Sequence, residues 1–482
     1  MEIIKLEKVN EVYNKVICEP GVGYEIKDYF TFKVPNYQFM PAYKNKLWDG
    51  NIYLFNPMNC LLYGGLTEHL EIFCKSRDYK LELLSDFSSD NMSVKETLDF
   101  VKSLNLPFQP REYQLEAFVR CVRSRRKMLL SPTGSGKSLI IYLLSRFYNL
   151  RTLIIVPTTS LIHQMASDFL SYGYSDPDNI HKIYQGQDKN IKSQFVISTW
   201  QSIFKQSKDW FNQFDVVIGD EAHLFKAKSL TSIMTKLETC KYRFGFTGTL
   251  DGSETHQLVL EGLFGPVKKI ITTSELIEQK HLSNFMIKCI SLQYPDDIKK
   301  ECSKYSFQQE MDFLVSNQER NKFITNLSLS LKGNTLLLFQ YVDKHGKVLY
   351  DMISNEHSDK DIYFVHGGID GNDREKIRNL VEKNNNSIII ASYGTFSTGI
   401  NIKNLHNIIF SSPSKSKVRN LQSIGRGLRL SDNKEQAVLY DISDDLSWKQ
   451  RKNFTLLHYI ERVKIYNEEQ FEYKTYKINI NT

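Results

Sequence analysis

The chain has 482 residues, enough for about three domains of ordinary size. A hydrophobic content of 41%, with 26 Tyr and 29 Phe, argues against long disordered regions, and no apolar run is long enough to cross a bilayer. The net charge of +7, from 62 basic and 55 acidic residues, permits a nucleic-acid partner without requiring one.

Residues 1–100 alternate polar and apolar side chains over short runs. Strands are expected over 29–34 and 51–55, the second opened by the turn pair Asp49-Gly50. Apolar spacing predicts an amphipathic helix over 67–78, and the Ser- and Asp-rich stretch 85–93 reads as a linker. From 101 to 285 strand-like runs alternate with helical stretches, with strands over 152–156, 194–198 and 216–218 and a helix over 161–170. A second alternation, 286–446, places strands over 335–339, 361–365, 387–391, 407–410 and 437–440. Such alternation predicts an α/β protein with two parallel sheets, each covered by helices on both faces. The stretch 447–482 predicts a helix over 454–468 and a short strand-like end. Seven cysteines, Cys18, Cys60, Cys74, Cys121, Cys240, Cys289 and Cys302, show no metal-ligand spacing and read as reduced thiols inside a cell. Residues 1–8 lack the uninterrupted apolar core of a signal peptide.

Two segments carry chemistry. Residues 131–138 read Ser-Pro-Thr-Gly-Ser-Gly-Lys-Ser, between an apolar strand pattern and an apolar helix pattern. Glycines let backbone N–H groups close around phosphate oxygens, and the helix N-terminus that follows attracts anions. Thr133, Gly134, Ser135 and Gly136 would form the cradle, Lys137 would reach the β/γ phosphates of ATP, and the Ser138 hydroxyl would take a Mg²⁺ position. Ser131 stands where the strict pattern has glycine. Asp220 and Glu221 follow the short apolar run 214–219. There Asp220 would hold Mg²⁺ through water, and Glu221 would orient and deprotonate the attacking water. A solvated loop lysine and a charged turn are plausible alternatives taken singly. Both together, in this order and context, are not.

Further segments fall in a fixed order: Arg111-Glu112-Tyr113-Gln114, Pro157-Thr158-Thr159, Ser198-Thr199-Trp200, His223 after the carboxylates, and Thr247-Gly248-Thr249. The second block carries Val365-His366-Gly367-Gly368, Ser397-Thr398-Gly399-Ile400-Asn401, and Gln422 to Arg429. This order resembles the superfamily 2 helicases of the DEAH-box type over residues 108–446. Residues 37–41, 46–55 and 61–66, with 458–462 near the end, are similar to the phage UvsW-type recombination and repair helicases.

The resemblance implies two RecA-like domains in tandem, at 101–285 and 286–446, a small α+β domain at 1–100 that contacts DNA, and a C-terminal helical extension at 447–482. It implies that Arg111 and Gln114 read adenine, with Tyr113 as a packing or core aromatic. Gln422, Arg426 and Arg429 share one face of a predicted helix and would stabilise charge in phosphoryl transfer. His223 would link the ATP site to Thr247 and Thr249, or to Gln422 across the cleft, the alternative being a satisfied histidine beside a strand end. Thr158, Thr159, Ser198, Thr199, Gly367, Thr398 and Gly399 match positions that touch the sugar-phosphate backbone, contacts indifferent to base sequence. Asn401 departs from the family's aspartate. Trp200 is open between base stacking and core packing, and Lys44, Lys46 and Trp48 between nucleic-acid binding and ordinary turn packing.

The expected activity is ATP-dependent, Mg²⁺-dependent unwinding or translocation on branched or forked DNA, with RNA met in R-loops. The expected protein is a cytoplasmic monomer without a membrane partner. Open rivals are an RNA helicase, a restriction-system motor, and a scaffold with an inactive ATP site. No nuclease cluster supports the second, and intact Lys137, Asp220, Glu221 and Arg426 argue against the third.

Overall fold

The computed structural model describes residues 2–35, 37–87, 92–226, 228–250, 254–356, 359–395, 402, 404–412, 416, 424–425, 428 and 436–480. The chain divides into two compact units, one of Met1–Ser131 with Gly136–Ile270, the other of Ile271–Thr482 with Pro132–Ser135.

The first unit opens with a five-stranded sheet in the order Phe55–Asn56, Leu61–Tyr63, Tyr13–Ile17, Ile3–Lys8, Lys80–Leu83. Strand Ile3–Lys8 runs antiparallel to Tyr13–Ile17 and parallel to Lys80–Leu83. Its alternation is that of a half-buried strand: Ile4 and Leu6 are buried while Ile3 and Lys5 face solvent. The helix expected over 67–78 forms as Thr67–Ser76. The strand expected over 29–34 is shorter, Thr31–Lys33, because Tyr29 is still the last residue of the helix Pro20–Tyr29. It pairs antiparallel with Asn51–Tyr53. Of the expected linker 85–93, residues 88–91 lie outside the described residues. Ser93 is no linker residue but the N-cap of helix Val94–Ser103, its hydroxyl and the Glu96 side chain forming a reciprocal capping box.

The rest of this unit is a seven-stranded, all-parallel sheet. Its order is Ile180–Ile183, Phe195–Thr199, Thr152–Val156, Val216–Gly219, Tyr242–Thr247, Arg126–Leu130, Val267–Lys269. The central strands are continuous apolar runs because both faces are covered. Ile154 and Val156 belong to one core, Leu153 and Ile155 to the other. The second of these cores is continuous with that of the small sheet, reaching Ile4, Leu6 and Phe30.

The seam between the small sheet and the large one is tight. A Cβ on Gly65 would lie 1.9 Å from the Glu261 carbonyl oxygen. Arg126 Nη2 donates to Glu11 O at 2.7 Å, and His69 Nε2 meets Glu261 Oε2 at 2.5 Å. The N-terminal sheet is therefore packed closely against the large sheet and shares a core with it.

The second unit holds another seven-stranded parallel sheet, in the order Asp361–Val365, Ser387–Ser392, Thr335–Phe339, Asn407–Phe410, Gln436–Asp445, Asn284–Gln293, Tyr473–Asn479. The strands expected at 335–339, 361–365 and 407–410 form with those bounds. The strand-like end of the chain becomes the edge strand, paired along Asn284–Gln293. The helix Phe454–Glu468 is anchored beneath it: Arg462 Nη2 and Nε donate to Asp441 Oδ1 at 2.7 and 3.0 Å, both groups fully buried. Removing one partner of such a pair is strongly destabilising. The chain's last elements are thus part of the second sheet.

Candidate functional site

The phosphate-loop segment sits between strand Arg126–Leu130 and helix Lys137–Tyr148. Ser131 is buried, and its backbone is held from both sides: its N–H donates to Thr247 O at 2.9 Å, and Lys137 Nζ donates to its carbonyl at 3.2 Å. The missing first glycine is accommodated because the turn begins later, at Gly134 (φ +87°) and Gly136 (φ +78°). Gly136 is also a close approach, since a Cβ there would meet Gln114 Nε2 at 2.3 Å. The same Gln114 side chain accepts from Arg111 N at 2.9 Å, and Arg111 Nη1 donates to Tyr113 OH at 2.9 Å. The segment 111–114 and the glycine loop are therefore in direct contact. Tyr113 is buried, as the core alternative has it.

The paired carboxylates end the central strand Val216–Gly219. Asp220 N donates to Ile155 O at 2.9 Å on the neighbouring strand, which fixes where its side chain starts. Glu221 has φ +52°, a left-handed conformation that a non-glycine residue adopts at a cost. Burial first, and the Glu221 charge second, push the Asp220 carboxyl up to about 7, while Lys137 pulls it down. His223 is buried with Nδ1 at 3.0 Å from Thr247 Oγ1 and 3.4 Å from Glu221 Oε2. The Thr247 hydroxyl gives its one proton to Thr249 O at 2.9 Å, so it accepts from His223, which sets the Nδ1–H tautomer. Glu221, His223, Thr247 and Thr249 form one chain of contacts.

A divalent cation suits this donor set. Ser138 offers a hydroxyl and Asp220 a half-buried carboxylate whose charge its surroundings disfavour. Among the described residues there is no cluster of three or more His, Cys, Asp or Glu able to hold a metal by itself.

The expected backbone-contact positions divide. Thr158 caps helix Thr159–Ser171, accepting from Leu161 N at 3.4 Å, and Thr159 is exposed. Thr199 pairs with Val156 on the adjacent strand, so Thr158 and Thr199 come to the same sheet end. Thr199 Oγ1 lies 2.9 Å from Ser202 Oγ. Ser198 is fully buried, with its hydroxyl 3.1 and 2.9 Å from the Ile183 and Thr199 carbonyls, to one of which it donates, so its side chain presents no donor at the surface. The strand Phe195–Thr199 is covered on both faces, so its side chains are buried whichever way they point. Gly367 is exposed, one residue beyond His366 at the end of strand Asp361–Val365. Thr398, Gly399, Asn401, Gln422, Arg426 and Arg429 lie outside the described residues. Trp200 packs partly buried against the core. Lys44 and Lys46 are exposed, while Trp48 Nε1 donates to Asn51 O at 2.7 Å, the turn-packing alternative.

Tyr172 is the site residue that sequence reasoning missed. Its phenol oxygen lies 2.7 Å from Ser138 Oγ, and no motif marks it.

Residues 4–84 match the model described as DNA helicase UvsW, N-terminal. Residues 107–252 match the type III restriction enzyme, res subunit, and residues 319–431 the helicase conserved C-terminal domain. The chain is 35% identical to the ATP-dependent DNA helicase uvsW of Enterobacteria phage T4, over 97% of each. It is 25% identical to the DNA 3'-5' translocase XPB2 of Sulfurisphaera tokodaii, over 69% of this chain and 81% of that one. The crystal structure of T4 UvsW aligns over 99% of both chains, with 33% identity and a TM-score of 0.52.

Proposed function

The chain belongs to the superfamily 2 helicases, in the family of the T4 UvsW helicase, and on that premise we propose that it is an ATP-driven DNA helicase or translocase acting on branched DNA. The processes it serves are branch migration, fork reversal and R-loop unwinding, in recombination, repair and replication. It works as a monomer inside the host cell. Among the described residues no helix is long and apolar enough to cross a membrane.

The observation that carries this reading is the convergence of four sequence-distant segments at one sheet end: the glycine loop, Gln114, the Asp220-to-His223 stretch and Thr247. Gln114 and Arg111 read the base of ATP, and Lys137 neutralises its terminal phosphates. Ser138 and Asp220 would hold Mg²⁺, which would supply positive charge for phosphoryl transfer. Glu221 takes the proton of the attacking water. The His223 ring lies beside this carboxylate, 3.4 Å from its Oε2. The arginines Arg426 and Arg429, with Gln422, add the positive charge that phosphoryl transfer needs. His223, through Thr247 and Thr249, ties the state of Glu221 to the segment after strand Tyr242–Thr247.

Nucleic acid is held mainly by its sugar-phosphate backbone, at Thr158, Thr159, Thr199, Gly367, Thr398 and Gly399. The module 1–100 adds Lys44 and Lys46 for duplex or junction. Its tight seam with the ATP-binding module 101–285 delivers those lysines at a fixed place. Residues 286–446 form the second RecA-like domain, extended by 447–482.

ATP hydrolysis measured with single-stranded, duplex, forked and four-way DNA, and with RNA of matched shape, tests the reading. Strongest stimulation by forked and four-way DNA is expected. Stimulation by RNA alone makes the chain an RNA helicase, and equal, weak stimulation by all contradicts a branch-acting motor.

A further inference from the structure

Tyr172 is held against Ser138 by features independent of that contact. It is the C-cap of helix Thr159–Ser171. Beyond it, Gly173 N donates to Leu170 O at 3.0 Å and Tyr174 N to Phe169 O at 3.1 Å, the two bonds of a Schellman ending. That ending needs a left-handed residue, and Gly173 supplies it at φ +94°. The Tyr172 ring packs edge-on against Tyr142 at 5.5 Å, one helical turn beyond Ser138, and against Phe108 at 5.6 Å. Backbone and ring are thus both fixed, and the phenol oxygen has little freedom to leave the Ser138 hydroxyl.

We propose that Tyr172 is a positioning residue for the metal-binding hydroxyl: it accepts the Ser138 proton and so turns a serine lone pair toward Mg²⁺. This rests on Ser138 being a metal ligand, as proposed above. A serine hydroxyl has one proton and two lone pairs. A cation takes a lone pair and repels the proton, which must then be received elsewhere. An acceptor 2.7 Å away, fixed before the cation arrives, removes the orientational freedom that Ser138 would otherwise lose on binding. The phenol keeps its own proton throughout, so no charge moves.

The test is binding of a fluorescent ATP analogue across a magnesium series, with metal-free binding as baseline. Tyr172→Phe keeps the ring contacts and removes only the hydroxyl. Its metal-free affinity and thermal midpoint should stay near wild type. Its magnesium midpoint should rise about threefold, because the freed Ser138 hydroxyl returns to three staggered positions of which one suits the cation. Ser138→Ala should raise the midpoint as well, and adding Tyr172→Phe should raise it no further, because the two hydroxyls act as one unit. A packing role for the ring would not give that non-additivity. A shifted Ser138→Ala beside an unshifted or lowered Tyr172→Phe overturns the role of Tyr172 alone. An unshifted Ser138→Ala overturns the metal assignment itself, and the proposal with it.

Discussion

Gly136→Ala is a single added methyl whose cost can be worked from two observations. The backbone there is left-handed, φ +78° and ψ +41°, and an L-residue in that region costs roughly 1–2 kcal/mol. The new Cβ would also lie 2.3 Å from Gln114 Nε2. The amide must swing away, losing the bond its oxygen accepts from Arg111 N, about 1 kcal/mol more. The sum, about 2–3 kcal/mol against the native loop, corresponds to a nucleotide affinity lowered roughly 30- to 150-fold. Gly186→Ala isolates the backbone part: φ is +84° and nothing lies within 4 Å of its Cβ. It should lose some stability with nucleotide binding intact. The assay is titration with a fluorescent ATP analogue beside thermal unfolding for both variants. Wild-type nucleotide affinity in Gly136→Ala would refute the reasoning, because neither the strain nor the Gln114 contact would then belong to the binding loop.

Other perturbations probe the second unit and the small module. Asp444→Ala leaves Arg320 buried without the carboxylate that accepts from its Nε and Nη2 at 2.8 and 3.0 Å; denaturant unfolding should show a loss of about 3–5 kcal/mol, and less than about 1 kcal/mol would contradict the pairing. His345 sits between Ser412 Oγ and Asn321 Oδ1, and burial first, then the Arg320 charge, lower its pKa to about 3. Below pH ~6.5 the unfolded chain takes up a proton that the folded one refuses, so stability should fall by about 1.4 kcal/mol per unit as pH drops from there toward 3, a slope that His345→Gln should flatten in urea titrations. Replacing Lys44 and Lys46 together by Ala should lower junction affinity and reduce the slope of log affinity against log salt by up to about 1.8, two phosphates' worth; an unchanged slope would mean these lysines touch no DNA. Point substitution suits this question better than deletion of 1–100, which would uncover the core shared with the large sheet.

The ATP-site chemistry was legible because phosphate binding demands glycine at particular backbone conformations and magnesium demands paired oxygens, and these leave marks over a few adjacent residues. The parallel sheets were legible because strands covered on both faces become uninterrupted apolar runs, as at 152–156 and 335–339. Contacts made by side chains far apart in sequence were not. Tyr172 meets Ser138 only once a helix has ended, and the Schellman glycine that places it marks a helix stop without naming what the preceding residue touches. Ser198 shows the reverse failure. Its match to a family motif says nothing of burial, and the strand that carries it is covered on both faces. The edge strand Tyr473–Asn479 was visible as strand-like, but its place beside Asn284–Gln293 depends on pairing that no local pattern encodes.

The Asp220–Glu221 site is expected to drive work on branched DNA. The most direct measurement follows a labelled four-way junction with ATP and Mg²⁺, comparing the wild-type chain with Glu221→Gln. The wild type should convert the junction while hydrolysing ATP, and Glu221→Gln should bind both ATP and junction yet convert nothing, since only the water-activating group is lost. Conversion at the wild-type rate by Glu221→Gln, or ATP hydrolysis by the wild type that leaves every junction intact, would contradict it.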